Sequence, residues 1–127
     1  MKQVFTIPGR LDGLNEYTAS CRSHAQVGAR VKRRNQEAVC WAIKAARLKP
    51  METPVNVRIT WFEKPKRKGA MMRDRDNIQF AVKFILDALV EMGIIPDDGF
   101  NDIGDVNHKC YRASDEARIV VELEEIC

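Results

Sequence analysis

The segment from Met72 to Asp102 constrains this chain most: a basic stretch delivers Asp74-Arg75-Asp76-Asn77 onto an apolar-periodic helix that ends in Pro96-Asp97-Asp98-Gly99. Ile78, Val82, Ile85, Leu89 and Met92 recur at helical intervals, so one face of this helix has to be buried. Asp76 or Asn77 is suited to cap its start, and Gly93 to stop it. Upstream, residues 55–62 alternate apolar and polar side chains as a half-buried strand does. Downstream, residues 103–111 and 117–123 read as two further strands.

The rest of the chain extends this pattern. Val4 to Ile7 reads as a first strand closed by Pro8-Gly9, and Leu11 to Tyr17 as a loop. One long helix is expected from about Thr18 to Leu48, with Val31, Ala38, Trp41, Ala42, Ala45 and Leu48 inside and Arg30, Lys32, Arg33, Arg34, Lys44 and Arg47 over much of the rest. The order is therefore β-α-β-α-β-β. The fold class is α+β, a small mixed sheet with two main helices packed on it, in a single domain over residues 1–127. Asp76, Lys83 and Asp87 fall on the helix face opposite the core stripe, with Phe80 and Phe84 close by. The two aromatics are either covered by a neighbouring element or reserved for a subunit or nucleic acid.

Composition narrows the function classes. The net charge of +3 is only mildly basic, but Lys and Arg dominate residues 22–75 while acids crowd the last third. Cys21, Cys40, Cys110 and Cys127 form no Cys-x-x-Cys pair, and His24 and His108 lie far apart, so zinc is not expected. Met1-Lys2-Gln3 leads directly into a strand, which predicts four reduced thiols in a cytoplasmic protein. No apolar run approaches the roughly 20 residues of a membrane span, so no membrane partner is expected.

Two carboxylates one residue apart, joined by a third after the helix, supply the oxygen ligands that Mg²⁺ prefers and that Mn²⁺ also accepts. Around them lie Lys66, Arg67, Lys68, Arg73 and Arg75, with the first helix's Arg30, Arg33 and Arg34 behind. A hard cation within a cationic surface suits phosphodiester hydrolysis, so the residues themselves point to a metal-dependent nuclease.

Arg73-Asp74-Arg75-Asp76-Asn77-Ile78, then Lys83, Asp87-Ala88-Leu89, Gly93 and Asp97-Asp98, with a weaker opening at Leu14-Asn15-Glu16-Tyr17, resemble the RusA-type Holliday junction resolvases. That family consists of metal-dependent endodeoxyribonucleases often carried by phages and prophages. The resemblance implies a RusA-like, dimeric α+β fold and resolution of four-way DNA junctions by paired, symmetric cuts that leave 5′-phosphate and 3′-hydroxyl ends, in DNA recombination and repair. By position it makes Asp74, Asp76 and Asp98 the metal ligands and, together with Lys83, the catalytic set. Lys66, Arg67, Lys68, Arg73, Arg75, Arg30, Arg33, Arg34 and Asn15 would contact branched DNA. Asn77, Asp87 and Asp97 would support the ligands. In the best-known members the lysine follows the Asp-Asn pair by about one turn, whereas here Phe80 stands in that place, which implies an added turn of about three residues before Lys83.

Simpler explanations exist for several of these residues. Isolated aspartates cap helices and balance arginines; Asn77 suits capping as well as ligand support, and Lys83-Asp87 has the spacing of a local helix pair. Asp97 is also explained as a loop former, and Asp102 as plain surface. The different-class alternative is a non-catalytic protein that grips branched or duplex DNA through the basic helix and loop.

Overall fold

The computed structural model describes residues 1–126. In chain order the elements are β1 (Lys2–Pro8), α1 (Leu14–Ser23), α2 (Ala25–Ala46), β2 (Val55–Glu63), α3 (Arg75–Gln79), α4 (Val82–Glu91), β3 (Ile103–Arg112) and β4 (Arg118–Glu125). Alternation along the strands sets the inner face. Phe5 and Ile7 of β1, Val55, Val57, Ile59 and Trp61 of β2, and Ile119, Val121 and Leu123 of β4 are all buried. Ile43 and Val39 from α2 and Phe84, Ile85 and Leu89 from α4 join them in one core. Each fully buried side chain of this size contributes about 1.5–3 kcal/mol relative to exposure.

The sheet order is β1-β4-β2-β3, with the last strand placed between the first two and antiparallel to both. β2 and β3 run parallel, with Trp61 opposite Cys110 and a register shift between Val55 and Val57. A parallel pair needs a crossover, and α3 with α4 supplies it. This α+β fold with a mixed sheet is the expected class.

Both helical expectations need correction. The first helix begins earlier than expected, at Leu14, and is broken at His24, whose backbone is extended and whose imidazole Nδ1 accepts a hydrogen bond from the Gln26 amide to cap α2. At Gly28 an added Cβ would lie 2.7 Å from Cys21 Sγ, so glycine is what lets α1 and α2 approach. The buried stripe of α2 is Gly28, Val31, Asn35, Val39, Ala42 and Ile43; Trp41 is 69% exposed. The second helix is interrupted at Phe80 and Ala81, where the Ala81 amide reaches back only to the Ile78 carbonyl and Phe84 only to Ala81. These tightened turns divide α3 from α4 at the position where an added turn was inferred. As expected, Gly93 ends this segment with a positive φ of +73°.

Phe80 and Phe84 are covered by α1. Tyr17 stacks on Phe80 with ring centroids 5.7 Å apart and meets Phe84 edge-on at 5.9 Å. They belong to the monomer's packing rather than to a subunit or nucleic-acid surface. Cys21, Cys40 and Cys110 are free thiols, and Cys127 lies outside the described residues. Burial and then the nearby Glu91 carboxylate push the Cys40 thiol up to about 12. Among the described residues no helix is long and apolar enough to cross a membrane.

Candidate active site

The segment around Asp74 and Asp76 is clamped from both sides. Immediately before it, the Arg73 guanidinium donates to both carboxylate oxygens of Glu63, with Nη2 at 3.0 and 2.9 Å, to Glu16 Oε1 at 2.9 Å and to the Leu11 carbonyl at 3.0 Å. Arg10 Nε completes the group by donating to Glu63 Oε1 at 2.6 Å. Burial alone would weaken the Arg73 charge, but Glu63 and then Glu16 more than offset it and hold the pKa above its ordinary value. With a side chain only 13% exposed and its donors committed within the protein, Arg73 braces the segment that carries the two aspartates.

Immediately after the pair, Asn77 is buried. Its Oδ1 accepts the Asn15 backbone amide at 2.8 Å. Gly13 precedes α1 and offers no side chain to satisfy that helix's free amides, so Asn77 supplies the acceptor from across the interface. An added Cβ at Gly13 would come within 2.6 Å of the Asn77 carbonyl oxygen and Oδ1. Asn77 is therefore the lock between α1 and α3. We expect Asn77→Ala to lose about 1–3 kcal/mol of stability in urea unfolding, because the Asn15 amide is left without its partner. Asn77→Asp keeps the acceptor and should lose much less.

Arg75 lies between the two aspartates, with Nη1 donating to the Cys110 carbonyl of β3 at 3.0 Å. Arg73, Arg75 and Asn77 thus bind the protein, while Asp74 and Asp76 stay exposed. Neither aspartate side chain makes a hydrogen bond or ion pair with any described residue. Asp74 is also the helix N-cap, in place of Asp76 or Asn77. It caps through its carbonyl, which accepts the Ile78 amide at 3.1 Å, and its carboxylate makes no cap bond.

Asp98 lies in the loop after α4, beside Asp97 and Asp87. The Asp98 amide is held by Asp97 Oδ1 at 2.8 Å. Its pKa is raised, first by partial burial and then by the charges of Asp87 and Asp97. Asp87 pairs with Lys32 of α2 at 3.8 Å, so the spacing-based Lys83-Asp87 pair is not formed. Lys83 is exposed and has no ion pair among the described residues.

Among the described residues, no group of three or more His, Cys, Asp or Glu side chains is placed to hold a metal ion. The three-carboxylate cage expected from Asp74, Asp76 and Asp98 is therefore not closed within the chain. Asp98 lies instead beside Asp87 and Asp97. Like charge opposes closure as well. The donor chemistry still fits a hard divalent cation, since every candidate is a carboxylate and the pair at Asp74 and Asp76 is unpaired.

The cationic residues differ in availability. Lys66, Arg67 and Lys68 are exposed and unpaired among the described residues, as is Arg30, whose Nε donates weakly to Gln26 O at 3.4 Å. Arg33 pairs with Glu37 at 3.7 Å and Arg34 with Asp12 at 2.8 Å, but both arginine side chains remain at least 70% exposed, so the pairs are weak restraints. Asn15 is exposed at the start of α1. Sequence reasoning missed Glu63, Glu16 and Arg10. For Glu63 a signal existed: it continues the inward alternation of Val57, Ile59 and Trp61.

No match was found among curated proteins. A family model described as Endodeoxyribonuclease RusA matches residues 16–124, a span that begins one residue after Asn15 and takes in the Asp74–Asn77 segment, Lys83, Asp87 and the Asp97-Asp98 loop. On that match, the chain belongs to the RusA endodeoxyribonuclease family.

Proposed function

We propose that this chain resolves four-way DNA junctions as a divalent-metal-dependent homodimer, with Mg²⁺ as the ion and Mn²⁺ as a substitute, hydrolysing one phosphodiester in each of two symmetric strands. One observation carries the reading: Asp74 and Asp76 are exposed and unpaired between two inward anchors, Arg73 and Asn77, in a chain of this family. A fixed acidic pair with no protein partner is open to a ligand that brings positive charge.

Asp74 and Asp76 would hold the ion, with Asp98 as the third carboxylate. Mg²⁺ commonly binds one or two carboxylates plus substrate phosphate, so the set is completed on assembly with DNA and not in the isolated chain. When bound, the ion would neutralise a non-bridging phosphate oxygen and stabilise the leaving 3′ oxygen. Arg75, tied to β3, keeps the backbone between the two aspartates in place. Lys66, Arg67, Lys68 and Arg30 attract the phosphate backbone without reading sequence. Lys83 supplies an exposed ammonium on the same helical segment and shares the charge that develops in the transition state. Two cuts related by symmetry call for two sites, and a twofold homodimer provides them.

The test is incubation of the full chain with an immobile four-way junction and a linear duplex of the same sequence, in Mg²⁺ or EDTA. Paired nicks in the junction only, abolished by EDTA, support the reading. Tight binding with no cleavage in Mg²⁺ or Mn²⁺ overturns it in favour of a DNA-binding protein. For Lys83→Ala we expect single-turnover cleavage slowed by about 10²-fold with junction affinity nearly unchanged; wild-type cleavage would remove Lys83 from the site.

A further inference from the structure

Phe100 is 97% exposed, so its ring adds almost nothing to the core. Single apolar residues on a surface are ordinary. Two features set this one apart. The first is its support: the Asp102 and Ile103 amides both donate to the Gly99 carbonyl at 3.0 Å, while the Asp102 carbonyl accepts the Val55 amide at 3.0 Å and Asp102 Oδ1 accepts Thr53 Oγ1 at 2.8 Å. The turn bearing Phe100 is thus closed on itself and fastened at Asp102 to the start of β2, which fixes the backbone from which the ring projects. The second is its company. Asp97, Asp98 and Asp102 surround it in sequence, and this acidity repels a DNA backbone that has to pass Asp98. Stacking on a base is attractive whatever the local charge, because every base has a π face.

We propose that Phe100 is a base-stacking contact, which holds one unstacked nucleobase of branched DNA against the turn beside Asp98. This rests on the junction-cleaving reading above and adds to it a residue that recognises the branch. Paired duplex keeps its bases stacked on one another, whereas bases at a branch point are the least costly to expose. Phe100 would then favour branched over linear DNA by a contact that phosphates alone cannot give.

The test uses the full chain with Phe100→Ala, Phe100→Leu and Phe100→Trp. Because the ring is exposed, all three should unfold at the wild-type temperature. Phe100→Ala is expected to weaken junction binding by about tenfold, on the scale of one lost base stack, with linear-duplex binding unchanged. Phe100→Trp should stay within about twofold of wild type, and Phe100→Leu, apolar but unable to stack, should behave as Phe100→Ala. In parallel, a junction carrying 5-iodouracil at successive branch positions, irradiated in EDTA, should crosslink to the peptide containing Phe100. If the wild type cuts junctions but Phe100→Ala binds them equally well and no such crosslink forms, this contact is overturned and the junction reading stands. If the wild type neither binds nor cuts a junction, both fall together.

Discussion

Asp74→Asn is expected to abolish metal-dependent strand cleavage, lowering the single-turnover rate by about 10²–10³-fold, while junction binding stays equal or becomes tighter. Asp74 carries out no folding task that the amide cannot perform. Its carbonyl caps α3, and its carboxylate bonds to nothing in the protein. The variant should therefore unfold at the wild-type temperature. The loss falls on charge: the amide keeps shape and one oxygen but not the negative charge that holds a cation against a phosphate, and electrostatic contacts to a transition state are worth this much. Removing a negative charge near the DNA backbone also relieves repulsion, hence the equal or tighter binding. Separate gel-shift and cleavage assays on one junction read the two effects. Parallel loss of binding and cleavage would place Asp74 in DNA docking and not in the chemistry.

Most strands were legible because period-two alternation survives in them: Val55 to Trp61, and Ile119 to Leu123, bury the residues that the pattern puts inside, whereas β3 buries only Cys110. The helices were less so. His24 breaks what reads as one helix because its ring caps the next one, and a histidine cap is weaker as a sequence signal than Ser, Thr, Asp or Asn. Glycine at position 13 hid the start of α1, since the groups that satisfy its first turn are Glu16 and the distant Asn77. Strand order lay beyond the sequence, as β4 takes its place between β1 and β2 only through long-range pairing.

For the site, the sequence located the aspartates but not their neighbours. Spacing along a helix implied Asp87 beside Lys83, yet Asp87 faces Lys32 on α2 and Asp98 on the following loop, partners set by tertiary packing. The DNA-contact set was read from charge alone, which cannot distinguish an exposed Lys66 from a half-buried, ion-paired Arg73. That distinction was within reach. A glutamate at an inward strand position needs a buried cation, and Arg73 stands at the far end of the loop that leaves it.

Arg73→Ala should therefore be the most destabilising of these substitutions, costing about 3–5 kcal/mol in urea or thermal unfolding. Glu63 has a side chain only 5% exposed, and without Arg73 it would rely on Arg10 alone. Glu16 would also lose its ion pair, leaving only the Gly13 amide. Removing one member of a buried charge group costs more than the group contributes net, because the remaining charge stays desolvated. Arg73→Lys preserves charge but not the fork that reaches both Glu63 oxygens, so it should recover only part of the loss. The double variant Arg73→Met with Glu63→Gln removes both charges at similar size and should be less damaging than Arg73→Ala, although Arg10 then loses its partner. A role in DNA contact predicts a different outcome: Arg73→Ala with an unchanged unfolding midpoint and a shallower salt dependence of junction binding. Denaturation curves for these variants, read beside salt titrations of binding, separate an anchor under the aspartates from a phosphate contact beside them.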